Sequence, residues 1–236
     1  MPKPQLFFLH FAGGNCYSYQ QITPLLKDFD IVPLELPGRG RRMDEDLLKD
    51  YEMAAQDFYQ QIVRKLCCEN FAVYGHSMGA TLAIRVVELL ESDGKKPIIL
   101  FVSGNPGPGA NENRHRYLMP TEDFREELKL LGGVPDAFLE NKELFDFFEP
   151  ILRADFEIAE GNNSEKVLPV NTPIYAMMGS LEEKIDRINT WSRFTQKQFR
   201  YEILEGDHFF IMKHPSRIAE IIRYNFSIQN FSESSR

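Results

Sequence analysis

Six short stretches of the chain are mostly apolar: QLFFL from residue 5, DIVPLEL from 30, FAVYG from 71, PIILFVSG from 97, PIYAMMG from 173 and FRYEILEG from 199. Brief runs rich in β-branched and aromatic residues, bounded by polar or glycine-bearing stretches, predict buried strands. Between several of them the period changes to that of a helix. In residues 51 to 66, Tyr51, Ala55, Phe58 and Ile62 fall on one helical face. Strand and helix in alternation predict an α/β fold built on a mainly parallel sheet flanked by helices.

The alternation fails between about residues 106 and 168, where helical patterns take over. Thr121 followed by Glu122 and Asp123 reads as a helix start, with Phe124, Leu128 and Leu131 on one face. Leu144, Phe148, Ile151 and Leu152 form a second stripe, and four phenylalanines fall within residues 138 to 148. We expect a helical insertion that covers something apolar. Residues 1 to 228, the insertion included, read as one domain, and 229 to 236 as a polar, frayed tail.

Composition narrows the function. Of 236 residues, 43% are apolar and 26% charged, and the net charge of −8 disfavours nucleic acid and anionic lipid as partners. No segment approaches the roughly 18 apolar residues of a membrane span, and no signal peptide is evident. Cys16, Cys67 and Cys68 have no metal-ligand spacing, so the expectation is reduced packing thiols in a cytoplasmic protein with no metal.

The chemistry is concentrated at one corner. FAVYGHSMGATLAIRVVELL, residues 71 to 90, runs from a strand through Gly-His-Ser-Met-Gly into an amphipathic segment, the context of a nucleophile elbow. There Ser77 must project its hydroxyl from a strained turn, so Gly75 and Gly79 must lack side chains. A serine hydroxyl needs a base. His208, in EGDHFFIM after the last strand, stands where the order serine, acid, histidine requires it. His10, His76, His115 and His214 read as structural, with His76 pointing away from the serine. The acid should follow PIYAMMG, where Glu182 is the candidate and Glu183 and Asp186 are rivals; Asp207 is too close to His208 in sequence. Backbone N–H groups of Met78 and of Ala12, in the HFAGG turn, are the expected oxyanion donors.

With these residues in place the chain resembles the type II thioesterases, stand-alone α/β-hydrolases of polyketide and nonribosomal peptide synthesis. The resemblance rests on HFAGG, LPGRGRR at 36 to 42, YGHSMGA, LFVSG, LRAD at 152 to 155 and GDHFF, in that order along nearly the whole chain. It implies an α/β-hydrolase fold with residues 106 to 168 as a lid. It also implies hydrolysis, by a cofactor-free Ser-His-acid triad, of acyl thioesters on the phosphopantetheine arm of an acyl or peptidyl carrier protein. The strand ending FVSGNP carries no carboxylate, which points to the later acid; the family's usual aspartate is replaced here by glutamate.

Three readings compete with that one: a carboxylesterase or lipase using the same triad, a non-catalytic binding protein of the same fold, and acyl transfer to an alcohol or amine. Arg39, Arg41, Arg42, Arg114 and Arg116 either meet a phosphate or an acidic carrier helix, or pair with nearby carboxylates. A monomer is the default.

Overall fold

Each of the six apolar stretches forms a strand: β1 Gln5–Leu9, β2 Asp30–Pro33, β3 Phe71–His76, β4 Ile99–Ser103, β5 Ile174–Gly179 and β6 Phe199–Leu204. The computed structural model describes residues 2–110, 114–134, 136–161 and 167–234. The strands make one sheet in the order β2-β1-β3-β4-β5-β6, parallel at every pairing. The two central neighbours of β4 bury every residue, because helices cover both of their faces. The edges differ from the expectation of buried strands. β2 stops at Pro33, short of the predicted run, and β6 leaves Tyr201 and Ile203 exposed. An edge strand has one neighbour and partial cover, so its outer positions stay wet.

Alternate residues divide the core. Phe7, Leu9, Val73, Val102 and Ala176 face α1 (Tyr51–Lys65) and α2 (Met78–Ser92), while Leu6, Phe8, Tyr74, Phe101 and Met177 face α7 (Pro215–Ser234). Helix α1 starts where Asp50 accepts the Met53 N–H at 2.8 Å, a side-chain cap for one of the helix's spare donors. Helix α7 continues to Ser234, so most of the segment read as a frayed tail is helical.

Between β4 and β5 lie α3 (Thr121–Leu131), α4 (Asp136–Glu140) and α5 (Lys142–Glu160), with a small core of their own formed by Phe124, Leu128, Leu139, Phe145, Leu152 and Phe156. Leu144, placed by the sequence on the inner stripe of α5, is 44% exposed. The buried row is instead Phe145, Leu152 and Phe156, with Phe148 partly buried, at spacings of three and four. A four-residue helix, α6 (Phe210–Lys213), precedes α7. Among the described residues no helix is long and apolar enough to cross a membrane.

Candidate active site

Ser77 occupies the corner between β3 and α2 with φ 55° and ψ −117°, a conformation disfavoured for any residue with a Cβ. The flanking glycines are required by backbone as much as by the serine. A Cβ on Gly75 would overlap the Gly79 carbonyl, and one on Gly79 would overlap the Leu9 carbonyl at the end of β1. The elbow is therefore wedged against the β1 loop. The Ser77 N–H donates to the Ser103 carbonyl at 2.8 Å, which anchors the turn to β4.

His208 reaches this serine from the loop after β6. Its Nε2 lies 2.9 Å from Ser77 Oγ and its Nδ1 lies 2.8 Å from Glu182 Oε2. A carboxylate accepts, so Nδ1 carries the proton and Nε2 is free to accept from the serine hydroxyl. The loops bearing acid and histidine are joined to each other. Ser180 donates its N–H to the Leu204 carbonyl at 2.7 Å, Leu181 to Gly206 at 2.9 Å, and a Cβ on Gly179 would overlap the Asp207 carbonyl.

The structure brings Glu182 to the imidazole and leaves its rivals elsewhere. Glu183 is exposed and pairs with Arg114 at 3.0 Å, Asp186 is exposed at the start of the 3-10 helix Ile185–Phe194, and Asp207 pairs with Lys213 at 2.7 Å. Met78 is the first residue of α2, so no carbonyl one turn back in its helix can take its N–H. Ala12 is half-buried in the turn after β1 and packs against both the sheet core and the core of the insertion.

His76, the last residue of β3, packs behind His208. Its Nδ1 bonds Ser103 Oγ at 2.9 Å, but its ring lies 5.0 Å from the ring of His208. Burial holds His76 well below the ordinary imidazole range, so a neutral ring backs the working one. Phe209 lies at the same place, edge-on to Phe11 and His208, with Gly133 of the insertion so close that a Cβ there would overlap its ring. Three of the four phenylalanines expected to form a cover, Phe138, Phe145 and Phe148, join the insertion's core, whereas Phe147 is 56% exposed.

The arginines divide toward the structural alternative. Arg39 is buried in a two-pronged pair with Asp155, Arg42 joins Glu45 and Asp57, Arg114 joins Glu183, and Arg116 joins Glu127 and Glu160. Among the described residues Arg41 alone of the five has no ion pair; it lies over the ring of Tyr17. Cys67 is exposed, which corrects its reading as a packing residue, whereas Cys16 and Cys68 are half-buried; all three are free. Among the described residues no three His, Cys, Asp or Glu side chains are grouped to hold a metal ion.

The sequence reading missed the role of Asp155. An acidic residue on the apolar face of α5, three positions from both Leu152 and Ile158, is the signal that would have found it.

Comparison with known proteins gives a consistent result. The model of the thioesterase domain family matches residues 4–226. A relative from Brevibacillus parabrevis, named linear gramicidin dehydrogenase LgrE, is 30% identical over 92% of this chain and 85% of its own length. The crystal structure of ClbQ from the colibactin NRPS/PKS pathway superposes with a TM-score of 0.88 at 27% identity, covering 98% of this chain and 99% of that one. The structure of the type II thioesterase BorB from the borrelidin biosynthetic cluster follows with a TM-score of 0.87 at 28% identity, covering 96% and 95%.

Proposed function

The chain belongs to the thioesterase family, and from that premise we propose that it is an editing thioesterase of a polyketide or nonribosomal peptide assembly line. Its substrates are acyl thioesters on the phosphopantetheine arm of acyl or peptidyl carrier proteins, which it hydrolyses in the cytoplasm. The observation that carries the reading is the unbroken line from Ser77 Oγ to His208 Nε2 at 2.9 Å and from His208 Nδ1 to Glu182 Oε2 at 2.8 Å. The pathway is suggested by the similarity to ClbQ and BorB. A serine, an imidazole and a carboxylate in line are parts for acyl transfer and not for hydride transfer, so the redox activity in the name of LgrE is not carried over.

In this mechanism His208 takes the Ser77 proton as Oγ attacks the thioester carbonyl, and the imidazolium so formed faces Glu182. The N–H groups of Met78 and Ala12 receive the oxyanion, aided by the positive end of the α2 dipole under Ser77. As the tetrahedral intermediate collapses, His208 returns its proton to the departing pantetheine sulfur, leaving an acyl-Ser77 ester. Water, deprotonated by the same imidazole, then attacks that ester, and as the acyl–Oγ bond breaks His208 returns the proton to Ser77 Oγ and the free acid leaves. The insertion at 106 to 168 is the lid over the acyl chain, with Gly133 against Phe209 as the contact that brings it to the catalytic histidine.

The test is release of free acid from carrier proteins loaded with acetyl, medium-chain and aminoacyl groups, using wild type beside Ser77→Ala. Serine-dependent release supports the reading. Cleavage of simple oxygen esters with no release from carriers favours an esterase and overturns it.

A further inference from the structure

Resting on the assignment of Ala12 as an oxyanion donor, we propose that His10 and Asp155 are positioning residues that fix the direction of that donor. Through Asp155, helix α5 of the insertion sets the geometry of the oxyanion loop.

A backbone N–H points where its peptide plane points. The plane that carries the Ala12 N–H also carries the Phe11 carbonyl, and that oxygen accepts two hydrogen bonds. One comes from the Gly14 N–H at 2.8 Å and the other from His10 Nδ1 at 2.8 Å. The tautomer follows from the partners. A carbonyl only accepts, so Nδ1 is protonated; the Leu36 N–H only donates, 3.2 Å from His10 Nε2, so Nε2 is bare. A neutral, wholly buried ring thus braces the first plane against the chain that follows β2.

The next plane, between Ala12 and Gly13, is held from the other side. The Gly13 N–H donates to Asp155 Oδ2 at 2.7 Å, and Asp155 is wholly buried. Arg39 Nη1 bonds that same oxygen at 2.5 Å and Nη2 bonds Oδ1 at 2.8 Å, so the carboxylate is itself clamped in place. Gly13 adopts φ 74°, and a Cβ there would meet Leu152 of α5 at 2.6 Å. Helix α5 therefore lies on the loop directly, through Leu152, and grips it, through Asp155. Both planes flanking Ala12 are oriented by buried side chains that touch neither Ser77 nor its histidine. A shift of α5, which carries part of the insertion's core, would turn the donor.

Three variants test this on a small acyl thioester of N-acetylcysteamine: His10→Phe, which keeps a ring but loses the donor; His10→Asn, whose amide can donate to the same carbonyl; and Asp155→Asn. Loss of a whole oxyanion donor costs on the order of 10²- to 10³-fold in rate, so a misdirected one should cost at least about tenfold in kcat, with KM little changed. His10→Asn should recover most of that loss. If Asp155→Asn fails to fold, the His10 pair carries the kinetic test. The second readout is independent of turnover: the amide resonances of Ala12 and Gly13 should move in His10→Phe and in folded Asp155→Asn, and stay near their wild-type positions in His10→Asn. Folded variants with wild-type kcat, or with unmoved Ala12 and Gly13 resonances, overturn the proposal. Absence of Ser77-dependent release from wild type would instead refute the functional reading, and the resonances alone would then decide the positioning role.

Discussion

Glu182 divides its two oxygens: Oε2 lies 2.8 Å from His208 Nδ1, while Oε1 accepts the N–H of Gly179 at 2.8 Å. The carboxylate is thus oriented by the end of β5 before it orients the imidazole. A glutamine at this position can keep one of those bonds but presents no negative charge to the imidazolium. Glu182→Gln should lower kcat by about 10³- to 10⁴-fold with KM little affected. Glu182→Asp, one methylene shorter, cannot span both partners and should retain an intermediate rate. Glu183→Gln and Asp186→Asn, at exposed positions just after Glu182, should match wild type in steady-state thioester hydrolysis; a comparable loss in either would move the acid to that residue.

The strain at Ser77 makes a prediction about stability. Ser77→Ala and Ser77→Gly should both abolish turnover, but only glycine accepts φ 55° without a Cβ clash. The glycine variant should therefore be more stable than the alanine variant by about 1 kcal/mol, after its greater freedom in the unfolded chain is subtracted. Urea unfolding of the two inactive proteins measures the difference directly. Equal midpoints would mean that the turn stores no strain.

Why the sequence disclosed some of this and not the rest follows from what is local. The elbow could be read because strand, glycines, serine and helix are contiguous, and His208 because the order of the chain confines it to the loop after the last strand. The acid was narrowed to three residues within five positions and no further, since choosing among them requires knowing which way the loop after Gly179 turns. The pair Arg39 and Asp155 stayed hidden because 116 positions separate its members. Arg39 also sits in LPGRGRR beside Arg41 and Arg42, and nothing local tells which of the three arginines turns inward to a carboxylate. The packing of His76 on His208 joins the end of β3 to the loop after β6, two places 132 positions apart in the chain.

That hidden pair should behave as buried ion pairs do. Asp155→Ala leaves the Arg39 charge without its partner inside the protein, and should cost about 3 to 5 kcal/mol in urea unfolding. Replacing both, Arg39→Met with Asp155→Leu, removes the charges together and should recover most of that loss. The Gly13 N–H remains unpinned in the double variant, so stability should return without the full rate. If the double variant is as unstable as Asp155→Ala, the damage lies in lost packing and not in an orphaned charge.

Acid should unfold the protein earlier than its carboxylates alone would. Burial, reinforced by the adjacent Arg39 charge and only partly opposed by Asp155, the hydrogen bond to the Phe11 carbonyl and Glu35, lowers the His10 pKa from 6.5 to about 4, and burial lowers that of His76 as well. Between pH 6.5 and 4 the unfolded chain therefore binds a proton at residue 10 that the native protein does not. Stability must fall as pH falls through that window, by about 3 kcal/mol from His10 when the window has been crossed. The sign is opposite to that of an exposed histidine paired with a carboxylate, which gains stability on protonation. Urea midpoints at intervals from pH 7.5 to 4 should trace the decline, and His10→Asn, which cannot titrate there, should make it shallower, leaving the share of His76. A wild-type profile level down to pH 4.5 would mean that His10 is protonated in the native protein, and the tautomer assigned from Phe11 and Leu36 would be wrong.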